Sequence, residues 1–164
     1  MTRQLCLRIS LATLLLTACA TTPKMDTTGI DLSVTPQRAV AEAQALQGAP
    51  LLWGGVIINS ANLKDTTQLE ILAYPLQSDQ RPDTDQTPLG RFIAQQDGYL
   101  EISDYAQGRL VTVKGTLLPS RAGRIGETEY TYPVLHATQL HLWPKRGSAP
   151  ETRVQFGIGV LFHD

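Results

Sequence analysis

The stretch Leu51-Leu52-Trp53-Gly54-Gly55-Val56-Ile57-Ile58 constrains the fold most. It is apolar on both parities, so as a strand it must be covered on both faces. The glycine pair at its centre predicts a bulge or a sharp bend of the kind used at barrel corners. Asn59 to Asp65 reads as a turn. Thr67 to Leu76 then reads as a second strand, with Leu69, Ile71 and Ala73 on one face and Gln68 and Glu70 on the other. The two runs and their short polar link predict a hairpin.

Further strands follow at intervals. Arg91 to Gln95 is a short one, after the polar interruption Gln77 to Pro88 and before a turn at Asp97-Gly98. Ser103 to Gly108 resembles one capped helical turn closed by glycine. Arg109 to Leu118 alternates clearly, with Val111, Val113 and Leu117 opposite Thr112, Lys114 and Thr116. Pro119 to Glu129, carrying Gly123 and Gly126, reads as a wide hairpin loop needing positive φ. Tyr132 to Trp143 is the next long strand. After a linker from Pro144 to Thr152, the apolar positions Val154, Phe156, Ile158, Val160 and Phe162 alternate as a last strand.

One helix precedes the sheet. Thr35 can cap it, Pro36 suits its first position and Gly48 can end it, with Ala39, Val40, Ala43 and Leu46 as its apolar stripe. Five or six strands are too few for two full sheets. The expected fold is therefore mainly β: a small, strongly bent antiparallel β-barrel of OB type with one short N-terminal helix.

The N-terminus carries an address. Arg3 and Arg8 precede the apolar run Ile9 to Leu16, which is too short to span a bilayer and is followed by polar residues. Leu16-Thr17-Ala18-Cys19 resembles the lipobox of bacterial lipoproteins, in which cleavage falls between Ala18 and Cys19 and the cysteine is acylated. Each buried methylene contributes about 0.8 kcal/mol, so several acyl chains anchor a protein durably. Ala20, rather than an aspartate, resembles the signal for transfer to the outer membrane. The expected organisation is a signal peptide over 1–18, a flexible tether over 19–33, a barrel domain over 34–143, and a linker with a C-terminal strand over 144–164. Losing Cys6 with the signal and acylating Cys19 leaves no free thiol and no disulfide. Losing Arg3 and Arg8 leaves 12 basic against 15 acidic residues, which gives no general attraction to nucleic acid.

The middle of the chain is also similar to a known family. Trp53-Gly54-Gly55-Val56-Ile57, Leu69-Glu70-Ile71 with Pro75-Leu76, Gly90-Arg91, Asp97-Gly98-Tyr99-Leu100, Val111-Thr112-Val113 with Gly115-Thr116, Tyr130-Thr131-Tyr132-Pro133-Val134 and Leu142-Trp143 resemble, in order and spacing, the Slp family of outer-membrane lipoproteins. The resemblance implies an association with the outer membrane of a Gram-negative cell and with starvation or stationary-phase stress. It implies no catalytic residues and carries over one site, the lipid-bearing Cys19.

Candidate chemistry is sparse. His136 and His141 lie five apart on one strand, on opposite faces unless a bulge intervenes, which is poor metal-ligand spacing. Ser103, Asp104 and His136 make a hydrolytic set only on paper, with no nucleophile-elbow motif. No cofactor, metal or catalytic residue is expected. Arg121 and Arg124 could meet anionic headgroups or pair with Glu127 and Glu129. Trp53, Tyr105 and Trp143 are candidates for a shared ligand pocket, and Phe156 and Phe162 for contact with a bilayer or a partner. The leading expectation is a lipid-anchored, non-enzymatic protein on the periplasmic face, with a role in envelope maintenance or stress and an envelope protein or lipid as partner. The alternative is a binding module for an envelope glycan, lipid headgroup or small solute; a hydrolase or metal enzyme ranks third.

Overall fold

The computed structural model describes residues 24–145. The expected signal peptide, Cys19, and the expected C-terminal strand with Phe156 and Phe162 lie outside the described residues. The described chain forms α1 (Pro36–Ala41), α2 (Ala43–Leu46), β1 (Pro50–Asn62), β2 (Thr66–Tyr74), β3 (Arg91–Asp97), β4 (Leu110–Ile125) and β5 (Thr128–Leu142). The strands close in the order β1-β2-β3-β5-β4. Neighbouring pairs are antiparallel except β3 and β5, which run parallel from Ile93 opposite Val134 to Gln95 opposite His136. This is the OB-type barrel expected from the strand count.

β1 has two partners, β2 and β4, along the same stretch: Gly55 sits opposite both Ala73 and Val111. Residues 51–55 are consecutively buried, which explains the two-sided apolarity. The glycines are not the bulge. The register shift falls at Ile58, between Ile57 and Asn59. The glycine pair serves close approach instead: a Cβ on Gly55 would stand 1.9 Å from the Leu72 carbonyl oxygen. β1 also runs four residues into the expected turn, to Asn62.

The barrel interior is filled from every strand by Leu51, Ile57, Leu69, Ile71, Phe92, Val111, Val113 and Leu135, all at most 1% exposed. The alternation read for β2 and β4 holds, since Leu69, Ile71, Ala73, Val111, Val113 and Leu117 all join this core. The helical segment adds Ala39, with Val34 just ahead of it. Thr35 caps α1 by accepting from the Arg38 N–H, and Gly48 has φ +81°. The expected single helix breaks at Glu42, whose φ of −109° and ψ of 27° leave the helical region.

Three expected boundaries are corrected. The tether was expected to reach Ser33, yet the chain is bound to the barrel from Met25. The Met25 N–H donates to Gln80 Oε1, Gln80 Nε2 donates back to the Met25 carbonyl, both at 2.8 Å, and Lys114 Nζ donates to the Asp26 carbonyl at 2.7 Å. The expected turn at Ser103 begins instead at Glu101, whose carbonyl accepts from Tyr105 N–H and whose carboxylate accepts from Ser103 N–H. The expected wide loop Pro119–Glu129 is a tight hairpin in which only Gly126 and Glu127 link the strands. Gly126 has φ +58° at the first central position of that turn, where glycine is favoured. Pro119, which has no N–H, falls in the register shift between Leu118 and Arg121 and so breaks no ladder bond.

Candidate functional site

The hairpin of β4 and β5 folds over the outer face of β2 and β3, the face on which OB barrels commonly bind ligands. Ile93, Tyr132 and Val134 form a second small core there. A polar clasp closes over it: Arg91 Nη1 donates to Glu70 Oε1 at 2.8 Å, and Tyr132 Oη donates to the same oxygen at 3.0 Å. The bond to Glu70 raises the Arg91 pKa, while burial, followed by that same carboxylate, raises the Tyr132 pKa. The hollow beside the clasp holds about 170 Å³. Glu70, which lines it, is paired with Arg91, and Arg121 reaches across to Gln68, so side chains of the fold itself span this face.

Arg121 and Arg124 do not form a pair. They lie three apart on β4 and so on alternate faces. Arg121 Nη1 donates to Gln68 Oε1 at 3.0 Å, and Arg124 Nη2 to the Glu127 carbonyl at 2.7 Å. No ion pair with Glu127 or Glu129 forms among the described residues.

The candidate aromatics separate as well. Trp53 is 5% exposed, donates from Nε1 to the Val34 carbonyl at 2.6 Å and meets Phe92 edge-on at 5.1 Å. Tyr105 is half-buried against the main core, and its carbonyl accepts from Ser60 Oγ. Trp143 is 4% exposed, donates from Nε1 to Thr112 Oγ1 at 2.9 Å and has the Arg81 guanidinium 5.3 Å from its ring centre. These three line no common pocket. Trp53 alone opens onto a groove of about 620 Å³ with mixed apolar and polar walls, between the N-terminal segment and the chain after β2, with Leu32, Tyr74, Leu76 and Gln80 around it. Leu32 on its rim is 62% exposed.

The histidines share a face after all. Between the pairs Gly115–Ala137 and Lys114–Gln139 the register shifts, leaving Thr138 as an extra residue. His136 and His141 then stand opposite Thr116 and Thr112, two same-side positions of β4. His136 Nε2 lies 3.0 Å from Asp97 Oδ2, while His141 meets Trp143 edge-on. Ser103 hydrogen-bonds Glu101, so no Ser–His pair forms. Among the described residues no group of three or more His, Cys, Asp or Glu is placed to hold a metal ion.

A second cleft, of about 430 Å³, lies where β4 begins and β5 ends. Sequence reasoning did not find it, because its cations, Arg81, Arg109 and Lys145, come from three distant segments.

The model of the outer membrane lipoprotein Slp family matches residues 16–159. The chain belongs to that family. It is 33% identical to the uncharacterized lipoprotein YeaY of Escherichia coli K12 over 134 residues, covering 79% of this chain and 67% of that protein. It is 32% identical to the outer membrane protein Slp of the same organism, covering 60% of this chain and 52% of that one. This Slp-family chain thus spans from about half to two thirds of these relatives. Among solved structures it is similar to a small single-stranded DNA-binding protein from Streptomyces coelicolor, with 17% identity and a TM-score of 0.42, covering 62% of this chain and 98% of that one.

Proposed function

We propose that this protein is an outer-membrane lipoprotein, anchored through an acylated Cys19, whose barrel faces the periplasm and supports the envelope under stress without catalysis. The observation that carries this reading is the position of Leu16-Thr17-Ala18-Cys19 at the very start of the family match. The barrel supports it where the Glu70–Arg91–Tyr132 cluster is closed by partners within the fold. Met25, the first of the described residues bonded to the barrel, lies six positions after Cys19, so the lipid would hold the domain within about 20 Å of the bilayer. Metabolic labelling with palmitate and membrane fractionation test the anchor. Label and outer-membrane retention are expected in the natural chain and lost in Cys19→Ala; label surviving that substitution sinks the proposal.

A second reading is a binding module for an envelope ligand. The specific observation in its favour is that a cleft beside Trp53 opens next to the bound N-terminal segment, and a second lies between Arg81, Arg109 and the end of β5.

A further inference from the structure

β2 stops short of its neighbour. Its last residue, Tyr74, sits opposite Gly54, whereas β1 begins at Pro50. The Ile57 N–H donates to the Arg109 carbonyl, and the Ile57 carbonyl accepts from Gly108 N–H, so Ile57 bonds on the side away from β2. Main-chain bonds alternate sides along a strand, which turns Gly55, Trp53 and Leu51 toward β4, and Gly54 and Leu52 toward β2. The far side of β2 agrees. Ala73 bonds Gly90 and Leu89 on the side of β3, which leaves Tyr74 to bond Gly54.

Leu52 therefore aims its N–H and C=O along the line that β2 would take if it continued. The chain turns away instead. Pro75 has no N–H, its carbonyl accepts from Asp83 N–H at 2.8 Å, and Gln77 N–H donates to the Arg81 carbonyl at 2.8 Å. Leu76 bridges to Pro82 and not to Leu52. Among the described residues neither main-chain group of Leu52 has a partner, although the residue is only 5% exposed. Main-chain groups at so buried a residue are nearly always paired. Leu52 and Trp53 line the groove of about 620 Å³, so this open line runs along its wall. The groove has two unlike sides. Val34, Trp53 and Leu89 belong to or pack on the barrel core, which makes the inner side apolar. On the outer side, a Cβ on Gly54 would stand 2.8 Å from Leu76 Cδ2, and polar Gln77 and Ser78 follow in the lining.

We infer that this groove binds an extended peptide, which adds as a short strand beside Leu52 in the line that β2 leaves open. One peptide residue would accept from the Leu52 N–H and donate to its C=O, the exchange made by any hydrogen-bonded antiparallel pair. Its two neighbours would turn to the inner side, against Val34, Trp53 and Leu89, and its own side chain to the mixed outer side. The preferred sequence is thus apolar, small polar, apolar. The groove lies within the roughly 300–1,000 Å³ usual for ligand sites. This inference deepens the binding-module reading, on which it rests, and is independent of the anchor.

The test uses isotope-labelled full-length protein in uncharged detergent, followed by NMR and calorimetry. Three probes are titrated: acetyl-Leu-Thr-Val-amide, the same peptide N-methylated at its central residue, and N-acetylglucosamine. Saturable binding of the first peptide is expected, with the Leu52 amide shifted and its exchange slowed roughly tenfold or more. The N-methylated peptide, which has lost the donor to the Leu52 carbonyl, should bind roughly tenfold more weakly. Leu32→Glu, on the rim where the side chain is exposed, should weaken binding severalfold and leave Tm unchanged. No saturable binding of the first peptide overturns the inference, as does equal binding of its N-methylated form or a Leu52 amide that does not respond. A Leu52 amide already as protected as Gly54 in the free protein also overturns it, because the chain itself then fills the line. Binding of N-acetylglucosamine without the peptide removes this inference and keeps the binding-module reading; failure of all three probes counts against both.

Discussion

Gly55→Ala offers the sharpest test of how the barrel closes. Gly55 does not have a positive φ, so alanine meets no backbone strain there. It meets a steric one: the added Cβ would lie 1.9 Å from Leu72 O, 2.7 Å from Leu72 C and 2.9 Å from Ala73 Cα. Ordinary C···O contact requires roughly 1.3 Å more, and only backbone is available to move. Because Gly55 is paired with β2 on one side and β4 on the other, β1 cannot retreat from one neighbour without pressing on the second. Displacing the Leu72 carbonyl by that much forfeits one or two ladder bonds, at about 1 kcal/mol each, on top of the roughly 1–3 kcal/mol of overpacking. The expected loss is about 2–5 kcal/mol, or a drop in Tm of roughly 8 °C or more. Gly48→Ala is the contrast, because nothing lies within 4 Å of its Cβ and its φ of +81° costs only about 1–2 kcal/mol. Urea unfolding followed by tryptophan fluorescence measures both. A Gly55→Ala protein as stable as Gly48→Ala, or more so, would refute the reasoning.

Two further outcomes are expected. Thr67 is fully buried; its Oγ1 lies 2.5 Å from Asn62 Oδ1 and 3.0 Å from the Gly98 carbonyl, and it accepts from Leu100 N–H at 3.0 Å. Thr67→Val keeps the shape but strands these groups, so a loss of about 2–4 kcal/mol is expected in urea unfolding, with faster amide exchange at Leu100. Tyr132 has its pKa raised, first by burial and then by Glu70, so the folded state holds the phenolic proton longer than the unfolded chain does. Its contribution is therefore whole below pH about 10 and is lost as pH rises through the folded-state value. Tyr132→Phe should lose about 1 kcal/mol at neutral pH and show a shallower alkaline fall in stability; an unchanged alkaline slope would remove Tyr132 as its source.

The strands were readable because alternation reports burial directly: Leu69, Ile71, Ala73, Val111 and Val113 could be placed from their spacing alone. The stretch from Pro119 to Glu129 was not readable. Its proline, glycines and charges are ordinary loop composition, yet pairing with β5 makes most of it strand and confines the proline to a bulge. The same limit governed the histidines, whose shared face depends on one extra residue, Thr138, that only pairing reveals. Arg121 and Arg124 drew attention by proximity in sequence, which brings alternate faces of a strand together and not one site.

Local pattern determined the barrel class, the helix cap at Thr35, the core positions and the family resemblance, because each depends on the order and spacing of residues along the chain. The tertiary structure alone decided which segments meet. It decided that Gly55 marks a close approach to a neighbouring strand, that the N-terminal segment is fastened at Gln80, and that three cations from separate parts of the chain converge beside Trp143. The physical reason is that register and closure are set by long-range pairing, and one inserted residue in a strand reverses the face of every residue beyond it.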